Sequence, residues 1–222
     1  MSDQEQQILH SWEVNAAPWT QVVRNQEIAS RKLVTDAAII EAIKIRCPAT
    51  VLDIGCGEGW LARRLADQGM QVTGVDAIPA LIGTARAAGG ADYYQLSYQQ
   101  LVAGELRQRF DVLVCNFSLL GETSVENLLA GLPAMLSPGG SLLIQTLHPT
   151  SACGDQPYQD GWREGSWQGF SDAFSRPAPW YFRTLEGWLA LFAHTGWQCE
   201  QQIEPAYQDG RIASVIFVLA PS

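Results

Sequence analysis

Val51-Leu52-Asp53-Ile54-Gly55-Cys56-Gly57-Glu58-Gly59-Trp60 is the stretch that decides the fold. Its first four residues form a short, mostly apolar run stopped by a glycine, which predicts a buried strand. The glycines at 55, 57 and 59 then permit positive φ and let a ligand touch the backbone. Trp60 to Gln68 reads as a helix with Leu61, Ala62, Leu65 and Ala66 on one face, and Gly69 is its C′ residue. A helix start directly after such a turn offers unpaired N–H groups to a carboxylate or phosphate.

The same alternation continues outward. Residues 1–48 read as helical, with Ile39, Ile40 and Ile43 at helical spacing and Pro48 as the stop. Gln71 to Asp76 is a second strand, and a helix opened by Pro79 ends at Gly89-Gly90. Tyr93 to Leu96 and Asp111 to Asn116 are strands three and four. Val125 to Leu136 is a helix, and the turn Ser137-Pro138-Gly139-Gly140 leads into a fifth strand, Ser141 to Thr146. Strands alternating with helices predict βαβ units and a mainly parallel sheet. Residues 149–183 are rich in Gly, Pro and aromatics without clear period. A helix, Leu185 to Thr195, precedes two strands, Gln198 to Ile203 and Ile212 to Leu219. Their connection is too short for a helical crossover, so this pair is expected to be antiparallel.

The formal charge of -9 disfavours polyanionic partners, so nucleic acid is not expected as a substrate. Arg63-Arg64 is the one adjacent arginine pair and reads as a solvated helix face. Cys47, Cys56, Cys115, Cys153 and Cys199 are scattered, which suits neither a disulfide framework nor a zinc site, and no metal is expected. Met1 to His10 is polar and lacks the apolar core of a signal peptide, and no segment approaches the length of a membrane span. The expectation is a cytoplasmic protein with no membrane partner, of unassigned oligomeric state.

Two carboxylates sharpen the glycine turn. Asp53 lies two residues before the first glycine, placed to face a cationic group, and Asp76 ends the second strand, where it can accept hydrogen bonds from two ribose hydroxyls. The dinucleotide fingerprint GxGxxG would place glycine at Trp60; the spacing here is GxGxG, and the tryptophan leaves less room for a pyrophosphate.

In these features the chain resembles the class I S-adenosylmethionine-dependent methyltransferases of the small-molecule type. The resemblance rests on residues 51–59, on Val75-Asp76, on Phe110 to Asn116, on Leu136 to Gly140, and on the final strand pair. It implies an α/β, Rossmann-like, mainly parallel seven-stranded sheet with an antiparallel C-terminal hairpin and helices on both faces. Residues 1–48 would be an N-terminal helical lid, and 49–222 the cofactor-binding domain with an aromatic insert at 149–183. The implied cofactor is S-adenosyl-L-methionine. Gly55, Cys56, Gly57 and Gly59 would pass under its methionine part, and Asp53 would help hold the amino group. Asp76 would bind the ribose, Ala77 and Ile78 would flank the adenine, and Asn116 and Phe117 would line the methionine side. Ser97-Tyr98 falls where the family often has an acidic residue followed by a small one, a departure at the adenine contact. Arg31 is expected to meet the cofactor carboxylate, with Trp19 in the lid.

Trp162, Trp167, Trp180, Tyr181 and Arg183 are expected around the substrate pocket, since open α/β sheets bind ligands above the carboxyl ends of their strands. Arg183 is expected to pair with an acidic substrate or with Glu186. His148, just after the fifth strand, is a candidate general base. The Asn-Pro-Pro-Tyr signature, which the resemblance links to base or glutamine methylation, is replaced by Asn116-Phe117-Ser118-Leu119. That favours a small-molecule acceptor. A nicotinamide-dependent oxidoreductase and a non-catalytic cofactor-binding protein are the competing readings.

Overall fold

Five parallel strands carry the molecule: β1 (Thr50–Ile54), β2 (Gln71–Asp76), β3 (Asp92–Gln95), β4 (Phe110–Asn116) and β5 (Leu136–Thr146). The computed structural model describes residues 2–222; Met1, the first residue of the expected N-terminal segment, lies outside them. A short hairpin, β6 (Gly161–Arg163) and β7 (Trp180–Phe182), stands apart, and β8 (Trp197–Ile203) and β9 (Val215–Pro221) complete the main sheet. The seven strands run in the order β3-β2-β1-β4-β5-β9-β8. β9 is antiparallel to both of its neighbours, as expected from the short connection before it. The dinucleotide-binding order 3-2-1-4-5-6 would put a parallel strand beyond β5.

Side chains of successive strand residues point to opposite faces, so each strand feeds two cores. Leu52, Ile54, Leu113, Cys115, Leu142 and Ile144 pack on one face with Trp188, Phe192 and Phe217. Val51, Val112, Val114 and Leu143 pack on the other with Ile39, Ile43, Leu61 and Leu65. The helices are α1 (Asp3–Arg24), α2 (Asp36–Lys44), α3 (Trp60–Ala66), α4 (Pro79–Ala88), α5 (Tyr98–Val102), α6 (Thr123–Gly131), α7 (Pro149–Ala152) and α8 (Leu185–His194). A π-helical turn, Arg31–Thr35, joins directly onto α2.

Among the differences from the sequence reading, three bear on the sheet and the insert. The helix expected to reach Leu136 ends at Gly131 and tightens into a 3-10 turn, Leu132–Met135, because Pro133 has no N–H to continue the ladder. β5 begins earlier than expected: Leu136 pairs with Phe110, the turn at 137–140 is accommodated as a register shift, and Ser141 then pairs with Val112. The insert is not wholly irregular, since it holds the β6–β7 hairpin. No helix among the described residues is long and apolar enough to cross a membrane.

Candidate functional site

The turn between β1 and α3 is built by its glycines and by Asp76. Gly55, Gly57 and Gly59 all have positive φ, at 75°, 57° and 85°. A Cβ at Gly55 would collide with the Ser118 side chain, so that position needs glycine for space as well as for conformation. The N–H groups of Gly55 and Cys56 donate to the Val75 carbonyl at 2.8 and 3.0 Å. Asp76 completes the cradle: one carboxylate oxygen accepts from Gly57 N–H at 2.9 Å and the other from Ile78 N–H at 2.9 Å. Burial raises the Asp76 pKa, and the N–H donors of Ile78, Gly57 and Ala77 oppose that rise.

Asp53 lies below this turn and is fully buried. Burial first, then the charge of Asp76, raise its pKa to about 7, against a hydrogen bond from the Ala62 backbone at the start of α3. Its Oδ2 finds no partner within the protein, and neither does Oδ1 of Asn116 at the end of β4. A buried acidic oxygen without a donor fits a cationic group from a ligand. Cys56 is a buried free thiol whose pKa burial pushes well up, so it is protonated and unreactive.

The loop after β4 is clamped onto the turn. Phe117 has a left-handed φ of 54°, strained for a residue with a side chain. The Ser118 hydroxyl donates to the Ile54 carbonyl at 2.8 Å, and the Tyr98 hydroxyl donates to the Ser118 carbonyl at 2.8 Å. Ser97 caps α5 in a capping box with Gln100. The pair expected at the adenine thus holds the scaffold: Ser97 organises a helix start and Tyr98 fixes a loop.

The N-terminal helix covers the turn. Trp19 Nε1 lies 3.9 Å from where a Gly57 Cβ would stand. Ile78, expected beside adenine, is buried with Ala16 and Leu81, and Leu9, Trp12 and Trp19 pack against them. Glu5 fastens the near end of α1, accepting from Ser124 N–H at 2.7 Å. Glu58 fastens the far end, pairing with Arg24 at 3.0 Å and Arg63 at 2.8 Å. Arg31 sits 4.5 Å over the Trp60 ring, and its Nε and Nη2 pair with the Asp36 carboxylate at 3.0 and 3.3 Å. Its charge is therefore already matched within the protein.

The insert closes against this helix. Trp167 stacks within 4.7 Å of Phe174 and 5.8 Å of Trp12, and Phe170 reaches Trp19 at 6.3 Å. Asn15, fully buried, donates to the Ser175 carbonyl at 2.7 Å and accepts from Ser175 N–H at 2.9 Å. Trp167 belongs to this seam. On the hairpin, Trp162 Nε1 donates to Glu122 at 3.1 Å, Tyr181 packs on Trp162 at 5.5 Å, and Trp180 packs on Phe182.

Arg183 and His148 both have partners within the fold. Arg183 is buried and, rather than pairing with Glu186, donates to the Gly121 and Glu122 carbonyls at 2.9 and 3.1 Å and stacks on Tyr181 and Trp188. A guanidinium satisfies bare loop carbonyls well because its donors form a rigid fork. His148 is buried, with Nδ1 2.7 Å from Thr150 Oγ1 and Nε2 3.4 Å from Glu204 Oε1.

The roles of Glu5, Asn15, Thr35 and Gln145 are not apparent from the sequence. The signals available were the Ser2-to-Glu5 capping-box spacing and a lone glutamine closing the apolar run Leu142-Leu143-Ile144.

A family described as "Methyltransferase domain" matches residues 26–202. Ubiquinone biosynthesis O-methyltransferase of Xanthomonas oryzae is 34% identical over 108 residues, which is 47% of this chain and 45% of that protein. The protein of the same name from Xylella fastidiosa is 35% identical over 108 residues, covering 47% and 44%. The match spans under half the length of these curated relatives. Among solved structures, DhpI in complex with SAM and HEP superposes over 100% of both chains with a TM-score of 0.67 and 14% identity. An S-adenosylmethionine-dependent methyltransferase from Mesorhizobium loti covers 81% of this chain and 95% of its own, with a TM-score of 0.62 and 23% identity.

Proposed function

The chain belongs to the methyltransferase domain family, and on that premise we propose that it transfers a methyl group from S-adenosylmethionine to a small-molecule acceptor. The observation that carries the reading is the pairing of the Asp76-pinned glycine turn with the unpartnered, buried Asp53 oxygen. The cofactor presents the matching groups: a ribose diol for Asp76, an ammonium for Asp53, and an adenine beside Ala77. When bound it supplies a methyl group on a sulfonium, a good leaving group.

The chain's own residues then have placement as their task. Gly55, Gly57 and Gly59 let backbone N–H groups and Cα atoms approach the ligand, and Trp19 covers the turn from above. The Asn15–Ser175 clasp and the Trp12–Trp167–Phe174 seam close the N-terminal helix onto the insert and keep water out. Trp162, Trp180 and Tyr181 border the acceptor side from the hairpin. Holding the acceptor in line supplies the acceleration, and no dedicated base is assigned, because both ring nitrogens of His148 are engaged. Arg31 contributes by stacking on Trp60 at the start of α3, with Asp36 fixing its orientation.

The curated relatives are named for O-methylation in ubiquinone biosynthesis. Only the small size of the acceptor is carried over to this chain, since the match covers less than half of those proteins. Five free cysteines suit a reducing, cytoplasmic setting.

Titration calorimetry with S-adenosylhomocysteine and with NAD tests the reading. Saturable binding of the first alone, weakened at least about tenfold (1.4 kcal/mol) by Asp76→Ala, is expected. Binding of NAD instead, or of neither, would overturn it.

A further inference from the structure

Beyond the cofactor turn, a second set of buried oxygens lies on the same face of the sheet. Asn116 on β4 is the Cα partner of Gln145 on β5, so their side chains are neighbours on one face, about 4.8 Å apart in strand spacing. Thr35, in the π-helical turn, covers Gln145 from above: the Gln145 amide nitrogen donates to the Thr35 carbonyl at 3.3 Å and to Ser214 Oγ at 2.9 Å. The Thr35 carbonyl is only an acceptor, which fixes the amide's orientation and leaves Gln145 Oε1 as a committed acceptor. Gln145 and Thr35 are each 1% exposed, yet Gln145 Oε1, Thr35 Oγ1 and Asn116 Oδ1 have no partner within the protein. Leaving such atoms unpaired is destabilising, so three of them together call for a bound group. A π-helical turn at this point is itself a common mark of a functional site.

We propose that Gln145, Thr35 and Asn116 form a subsite for a hydrogen-bond-donating group of the methyl acceptor, an amino or hydroxyl group. The assignment rests on the methyltransferase reading for its position: the row starts at the cofactor turn and runs one to two strands towards β9, the side on which an acceptor must sit. Its chemistry is independent of that reading. Each of the three unpartnered atoms is an oxygen with free acceptor capacity, and the Gln145 oxygen cannot donate, so the row suits a donor group better than a carboxylate or phosphate. The subsite selects and orients the acceptor, and takes no part in bond making.

Crystals grown with S-adenosylhomocysteine and soaked separately in ethylammonium, ethylene glycol and acetate test the proposal. Ethylammonium nitrogen or glycol hydroxyl within hydrogen-bond reach of Gln145 Oε1 and Thr35 Oγ1, with acetate excluded, is the expected result. Acetate at those atoms, or only a water there in all three soaks, would overturn it and mark the row as structural. Density for S-adenosylhomocysteine in the same crystals reports on the cofactor reading separately, and the probe density is read whether or not it appears. Thr35→Val is expected to lose the probe while binding S-adenosylhomocysteine within about twofold of the parent (0.4 kcal/mol), and Thr35→Ser is expected to keep both. A Thr35→Val protein that retains the probe would contradict the assignment.

Discussion

Asp53 should release a proton when the cofactor binds. Burial and the Asp76 charge hold its pKa at about 7, against an ordinary 3.8. For an acid whose pKa is raised on folding, the folded state holds more protons than the unfolded one between those two values. Stability of the ligand-free protein therefore falls as pH rises from about 4 through 7, by on the order of 4 kcal/mol in all. Asp53→Asn removes this dependence and is expected to make the ligand-free protein more stable than the parent at pH 8. An ammonium beside the unpartnered Oδ2 favours the ionised form, so binding at pH 6 should expel about 0.9 proton and at pH 8 about 0.1. Calorimetry of S-adenosylhomocysteine binding in buffers of different ionisation enthalpy counts these protons directly. A count near zero at pH 6, or the same count in Asp53→Asn, would refute the assignment of Asp53 to the amino group.

Three further outcomes are expected. Gly55→Ala forces a side chain into a left-handed φ and against Ser118, so it should cost at least about 1–2 kcal/mol in unfolding by denaturant and abolish S-adenosylhomocysteine binding; normal binding by this variant would mean the turn is not the site. Burial opposes ionisation of Glu5, but hydrogen bonds from Ser124 and Ser2 outweigh it and hold its pKa low. Its stabilisation is thus present above the unfolded value of about 4.5 and lost as pH falls through the folded one, so the protection factor of the Ser124 amide, corrected for intrinsic exchange, should fall in acid in the parent and be independent of pH in Glu5→Gln. Asn15→Ala leaves the Ser175 N–H unpaired, at roughly 1–3 kcal/mol, while the Ser175 carbonyl keeps Trp167 Nε1 at 3.0 Å; it should speed amide exchange across 165–176 while exchange in β1 and β4 stays slow.

What the sequence makes legible is whatever a local pattern encodes. The run 51–60 specifies strand, turn and helix because the glycine spacing and the apolar run are contiguous, and Asp76 is placed by the end of its own strand. Alternation gives the parallel strands, and one short connection gives the antiparallel pair; the order in which the strands lie follows from neither. Long-range partners leave no such trace. Whether Arg183 meets Glu186 or the carbonyls of residues 121 and 122 is decided by where the hairpin folds back, some sixty residues from its partners along the chain. His148 reads as a base when its neighbours in space, Glu204 above all, are unknown. Gln145 and Thr35 were invisible for the same reason, since a buried polar side chain looks like any surface glutamine or threonine until burial is known.

The most direct measurement is a crystal structure with S-adenosylhomocysteine. Both ribose hydroxyls within hydrogen-bond distance of the Asp76 carboxylate, and the amino group beside Asp53 Oδ2 under Trp19, are the expected result. A ligand bound away from residues 53–59, or with its ribose turned from Asp76, would contradict the account.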